Sequence, residues 1–148
     1  TALIETPKLV IADEPTPGLD PKLARRAMEH FRELADMGAA VLVITHDLEL
    51  ALQTVDRIQV FYAGYTIEDS PAEDFAKEET LRHPYTKALW RAMPKNGFHY
   101  IDGVQLYARD MQQGCPFAPR CGKCTDKCKE EVPWHQSGNG YVRCIYDT

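Results

Sequence analysis

Leu9-Val10-Ile11-Ala12-Asp13-Glu14-Pro15-Thr16-Pro17-Gly18-Leu19-Asp20 is the stretch whose reading decides the fold. Lys8–Ala12 is a short apolar run rich in β-branched residues, the composition of a strand buried in a parallel sheet. It ends at two acids, Asp13 and Glu14, followed by a turn over Pro15–Gly18. A strand of this kind delivers its charge to the carboxyl edge of the sheet, where α/β folds bind ligands. Asp20-Pro21 then opens a helix. The aspartate can accept the free N–H groups of the first turn, and proline suits the first helical position because its missing N–H has no partner there.

Working outward, Leu23, Ala27, Phe31, Leu34 and Ala35 recur at helical spacing and predict one apolar face, with Gly38 ending the helix. Ala40–Thr45 reads as a second buried strand ending at His46-Asp47, followed by a short helix with Leu48, Ala51, Leu52 and Val55 inward. Arg57–Ala63 reads as a third strand, and Gly64 begins a turn into Tyr65–Glu68. Ser70-Pro71-Ala72-Glu73 has the form of a capping box and predicts a helix to about Lys77. A further helix is expected from near Pro84, through Leu89 and Trp90, to Pro94. Strand–helix–strand alternation implies an α/β domain with a parallel sheet. Past Pro94–Phe98 the periodicity fades, and Gly114–Cys144 is Cys-rich with almost no helix or strand pattern. The reading divides the chain into residues 1–94 and an irregular extension, 95–148.

Composition narrows the function classes. Apolar residues make up 44% of the 148 and charged residues 26%, ordinary for a globular protein. The net charge of −5 argues against a general nucleic-acid surface, which favours a basic face. No run approaches the ~20 apolar residues that span a bilayer, and Thr1–Pro7 shows no basic or apolar leader pattern, so membrane association is expected only through partners. All five cysteines lie between Cys115 and Cys144. An odd, clustered set without a leader suggests metal or cluster ligation more than a disulfide framework.

The acids at the first strand end carry a chemical reading. Asp13 can hold Mg²⁺ directly or through water, and Glu14, pointing elsewhere, can orient or deprotonate an attacking water. Taken alone, Asp-Glu is also compatible with a solvated acidic turn, His46 with an ordinary strand-end histidine, and Asp20 with a helix cap only.

Leu9–Asp20 resembles the Walker-B and D-loop run of ABC ATPases, and Val41-Leu42-Val43-Ile44-Thr45-His46-Asp47 resembles their switch-histidine strand, with one helix between them as in that family. The resemblance implies a partial P-loop NTPase fold, with Asp13 helping to hold the Mg²⁺ of Mg-ATP. It makes Glu14 the general base or water-orienting group, has His46 contact the γ-phosphate and that base, and has Asp20 touch a second ABC ATPase subunit. The family's Gly-x-x-x-x-Gly-Lys-Ser/Thr loop, its Leu-Ser-Gly-Gly signature and its glutamine loop are not found in the sequence. The expectation is therefore the C-terminal portion of such a domain. It would bind ATP weakly or not at all alone, would be prone to aggregate at its exposed sheet edge, and would need the N-terminal half of the same domain.

Cys115-x5-Cys121-x6-Cys128, the later Cys144, and His83-Pro84-Tyr85-Thr86-Lys87-Ala88-Leu89 resemble the C-terminal extension of the oligopeptide/dipeptide/nickel importer ATPases. That resemblance implies ATP hydrolysis coupled to import of peptides or nickel, at the cytoplasmic face of the membrane. The implied partners are permease subunits and, indirectly, a solute-binding protein. It also implies a possible [4Fe–4S] cluster on Cys115, Cys121, Cys128 and Cys144. Four thiolates also suit tetrahedral zinc, in which case Cys124 of Cys121-Gly122-Lys123-Cys124 is an alternative ligand; five reduced thiols without metal is the third possibility. Trp134, His135 and Tyr141 read as packing over the Cys loops or as a recognition surface. The rival functions are a non-catalytic metal-binding or assembly module and a non-transport ABC-type ATPase.

Overall fold

The structure, a computed structural model, describes residues 7–105 and 113–146. The chain divides into two compact units, 1–55 and 56–148, so the change in composition at Pro94 falls inside the second. The structure is mixed α/β.

In the first unit, β1 (Leu9–Asp13) and β2 (Ala40–Ile44) pair in parallel, from Leu9 opposite Ala40 to Asp13 opposite Ile44. Between them runs α1 (Pro21–Asp36). Asp20 is its cap, with extended backbone and Oδ1 accepting from the N–H groups of Lys22 (3.0 Å) and Leu23 (3.1 Å). Asp20→Ala is expected to raise hydrogen exchange of the Lys22 and Leu23 amides about fivefold, for the ~1 kcal/mol that such a cap contributes. Unchanged exchange would show that the first turn is held elsewhere. Gly38, at φ 97°, follows the helix as expected. A short helix, α2 (Leu48–Ala51), is capped by Asp47, whose Oδ1 accepts from Leu50 N at 3.0 Å.

Two expectations need correction here. The inward face of α1 centres on Ala24, Met28 and Leu34, while Leu23 is 51% exposed. Met28, only 1% exposed, takes the central place, a role its long flexible side chain fills readily. Nor are the strands buried on both faces. Their exposure alternates, and Leu9, Ile11, Leu42 and Ile44 stand between 49% and 61% exposed on one face. Val10, Ala12, Val41 and Val43 on the other are half-buried, because α1 packs against β2 and the described residues of the unit provide a single helical layer.

The second unit holds an antiparallel sheet in the order β3–β4–β6–β5. β3 (Arg57–Tyr62) and β4 (Tyr65–Pro71) form a hairpin across Ala63-Gly64, both at positive φ (48° and 86°). That two-residue turn makes the β3–β4 pair antiparallel, because parallel neighbours need a crossover of about a dozen residues or more; the third strand lies in this antiparallel sheet, where a parallel one was expected. The capping box is also not formed. Ser70 lies buried in β4 and donates to Glu68 Oε1 (2.7 Å), so the next residues make 3-10 turns at Ala72–Ala76 and Glu78–Thr80. α3 (Pro84–Ala92) forms where expected.

The Cys-rich segment carries more regular structure than its composition suggests. β5 (His135–Ser137) and β6 (Gly140–Val142) form a second hairpin, and β6 pairs with β4 through Glu68–Val142 and Asp69–Tyr141. The segment shares one core with the hairpin: Ile67, Leu81, Phe117, Val132 and Val142 are all at most 3% exposed. Trp134 and Tyr141 stack on each other, with centroids 5.9 Å apart.

Candidate functional site

The first constellation sits at the carboxyl ends of β1 and β2. Asp13 is the last residue of β1 and is exposed. Glu14 follows in a left-handed conformation, φ 45°, which a non-glycine residue adopts at a cost of ~1–2 kcal/mol. Its N–H still donates to Ile44 O at 2.8 Å, extending the strand pairing by one bond. The carboxylate meets the ring of His46, with Oε1 2.9 Å from Nδ1. The two side chains, 32 positions apart in the chain, remain open to solvent at 39% and 82% exposure. Thr45 Oγ1 accepts from Asp47 N at 3.1 Å, and Asp47 caps α2, which fixes the backbone around His46.

The Glu14 hydrogen bond, then its charge, raises the His46 pKa above its ordinary 6.5. A raised folded-state pKa stabilises fully below the unfolded value and is lost as pH rises through the folded one. An NMR titration should find His46 protonated to higher pH than an ordinary histidine, and Glu14→Gln should return it toward 6.5. A titration that the substitution does not move would break the link.

The structure thus brings Glu14 and His46 together and leaves Asp13 beside them at the same edge. Asp20 serves as the cap of α1. The pair can orient and accept a proton from a water held against it, since a carboxylate fixed by an imidazole keeps one direction.

The second constellation is built by the cysteine loops. Cys115, Cys121, Cys128 and Cys144 line one small cavity with His83, Val132 and Tyr146, while Cys124 is exposed outside it. The ends of the loop are tied by Cys115 N to Cys128 O at 2.8 Å. Gly114 permits that approach: at φ 110°, a Cβ there would lie 2.4 Å from Cys128 O. Successive turns then follow, with Ala118 N on Cys115 O, Cys121 N on Ala118 O, Cys124 N on Cys121 O, and Cys128 N on Thr125 O. None of the five cysteines forms a disulfide. Burial, with smaller contributions from the other three cavity thiols, pushes Cys115 up to about 11. Among the described residues, no three His, Cys, Asp or Glu side chains converge as ligands of a single ion.

Several interior side chains near these loops carry no signal in their spacing. His83 is 1% exposed, and burial lowers its pKa to about 4, so its ring is neutral. Its Nδ1 accepts from Tyr85 N at 3.0 Å, and its Nε2 lies 3.7 Å from Cys115 Sγ. Glu68, fully buried, accepts from Ser70 Oγ, from Arg82 N (3.1 Å) and from His83 N (2.7 Å). Arg120 donates to the carbonyls of Ile101 (2.8 Å) and Asp102 (2.7 Å) and to Tyr62 OH (3.1 Å). Apart from Ser70–Glu68 and Tyr85–His83, two positions apart, these contacts join positions 14 to 58 apart. Only His83-Pro84-Tyr85 stood out beforehand, through its resemblance to a family motif.

The model of the oligopeptide/dipeptide transporter C-terminal region matches residues 67–128. The dipeptide transport ATP-binding protein DppD of Haemophilus influenzae is 38% identical over 145 residues, covering 93% of this chain and 43% of that protein. The oligopeptide transport ATP-binding protein AppD of Bacillus subtilis is 36% identical over 153 residues, covering 97% and 46%. The Escherichia coli DppD is 40% identical over 133 residues, covering 86% and 40%. Along most of its length the chain is similar to the C-terminal region of ABC transporter ATP-binding proteins of dipeptide and oligopeptide transport. It spans less than half the length of these relatives.

Proposed function

We propose that the chain supplies the water-activating part of an ATP-hydrolysing subunit that drives uptake of oligopeptides or dipeptides, with nickel as the alternative solute. The observation that carries this is the Glu14–His46 pair at the carboxyl ends of two parallel strands. Glu14 orients the attacking water and takes its proton, and His46 holds Glu14 and reaches the γ-phosphate. Asp13, exposed at the same edge, helps hold Mg²⁺, which neutralises charge on the phosphates when bound. Asp20 contributes to the contact with a second ATPase subunit while capping α1.

The open apolar face of β1 and β2 supports a covering layer from the phosphate-binding half of the same domain. Permease subunits and a solute-binding protein complete the assembly at the cytoplasmic face of the membrane. Among the described residues, no helix is long and apolar enough to cross a bilayer. Joined to a matching phosphate-binding half, the chain should give Mg²⁺-dependent ATP hydrolysis, and a folded complex without turnover would overturn the reading.

The cysteine cavity belongs to the same proposal as the place of a [4Fe–4S] cluster on Cys115, Cys121, Cys128 and Cys144. Four sulfur donors lining one small cavity fit such a group. When bound, the cluster would cross-link the loops and could exchange an electron. Anaerobic purification should yield about four irons and four sulfides per chain, lost on Cys128→Ser. One zinc without sulfide, or no metal, would remove the cluster.

A further inference from the structure

His83 occupies the cap position of α3, where Ser, Thr, Asp or Asn is the usual choice because a short side chain reaches the first-turn N–H groups. Its cap is well formed. The backbone is extended (φ −76°, ψ 136°), and Nδ1 accepts from Tyr85 N at 3.0 Å. Pro84, at the first helical position, has no N–H of its own. This cap decides the tautomer. A nitrogen that accepts an amide hydrogen carries a lone pair, so in the neutral ring the proton sits on Nε2. That Nε2–H faces Cys115 Sγ at 3.7 Å, a distance at which sulfur accepts a hydrogen bond. The ring is held from both sides. The backbone N–H of His83 is fixed by Glu68 Oε2 at 2.7 Å, and the ring of Phe117 lies against it with centroids 6.0 Å apart.

A short capping residue would serve the helix equally well and would not reach the cysteine. We propose that His83 is a positioning residue of the cysteine site: its Nε2–H holds the sulfur of Cys115 in place and favours the reduced state of a cluster bound there. The second half rests on the cluster reading given above. Because Nε2 carries the proton, His83 has no lone pair to offer a metal and is not itself a ligand. A hydrogen bond to a ligating sulfur draws off negative charge, and added charge is what reduction brings.

His83→Asn separates the two roles, since asparagine keeps the cap and lacks the reach. In the anaerobically purified chain, the variant should hold as much iron and sulfide as the unaltered protein. At a fixed potential its ratio of reduced to oxidised cluster should fall about tenfold, ~59 mV for a one-electron couple. A filled cluster with an unchanged potential would reduce His83 to a cap and overturn the proposal.

A second measurement needs no substitution. Histidine ¹⁵N shifts in the metal-free chain should show His83 protonated at Nε2, with Nδ1 as acceptor. Protonation at Nδ1 would overturn the positioning role outright. Absence of iron from the unaltered protein would overturn the cluster reading and the redox half with it, while the ¹⁵N shifts would still decide whether Nε2–H is available to Cys115.

Discussion

Glu14→Gln, in a complex that joins this chain to a phosphate-binding half of its family, should lower ATP turnover by about 10²–10⁴-fold and leave nucleotide affinity nearly unchanged. The magnitude is that of a lost general base. The substitution keeps the size of the side chain and one oxygen to meet His46 Nδ1, now 2.9 Å from Oε1. The backbone is undisturbed as well, since glutamine tolerates the φ of 45° no worse than glutamate. What disappears is the capacity to take a proton from water. On the proposed reading affinity should survive, because the other half would cradle the phosphates and Asp13 would help to hold the metal. ATP turnover would be followed alongside binding of a fluorescent ATP analogue. Turnover within threefold of the unaltered complex would remove Glu14 as the base. A loss of affinity as large as the loss of turnover would mean that Glu14 holds the nucleotide.

The residues at this edge were legible before the structure because they are local. A strand of five residues, a turn marked by Pro and Gly, and a cap at Asp20 follow from neighbours within a few positions. The pairing of Glu14 with His46 crosses 32 positions, and only the resemblance to a family joined them in advance. The second unit was read less well for the same physical reason. Ala63-Gly64 fixes an antiparallel hairpin, yet in the sequence it marks only a turn. Ser70-Pro71-Ala72-Glu73 matches a capping box, but Ser70 is buried in β4, where the carboxylate of Glu68 takes its hydrogen. The tail lacks periodicity because its buried side chains, Phe117, Val132 and Val142, are isolated in the sequence, and Phe117 meets Tyr62, His83 and Tyr85 far back in the chain. The face of α1 is displaced from Leu23 to Ala24 because Met28 fills the centre, a choice of packing that periodicity leaves open.

Glu68→Ala should destabilise the second unit by about 3–5 kcal/mol, the range for removing one partner of a buried charged network. Glu68 is fully buried, and its two oxygens divide the donors. Oε1 takes Ser70 Oγ (2.7 Å) and Arg82 N (3.1 Å), while Oε2 takes His83 N (2.7 Å). The Arg82 guanidinium lies 3.7 Å from Oε1 and also binds Asp74 at 2.8 Å, so it keeps one carboxylate in the variant. The backbone donors of Arg82 and His83 do not. Each buried donor without an acceptor costs about 1–3 kcal/mol. Glu68→Gln should fall between, because its single carbonyl oxygen can replace only one carboxylate oxygen and its amide sets a donor against a donor. Both tryptophans, Trp90 and Trp134, lie in this unit, so urea unfolding followed by their fluorescence reads it without contribution from residues 1–55. A loss below about 1 kcal/mol for the alanine variant would show that water satisfies these donors. It would also show that the entry to α3, and with it the ring of His83 against Cys115, is held by packing instead of by Glu68.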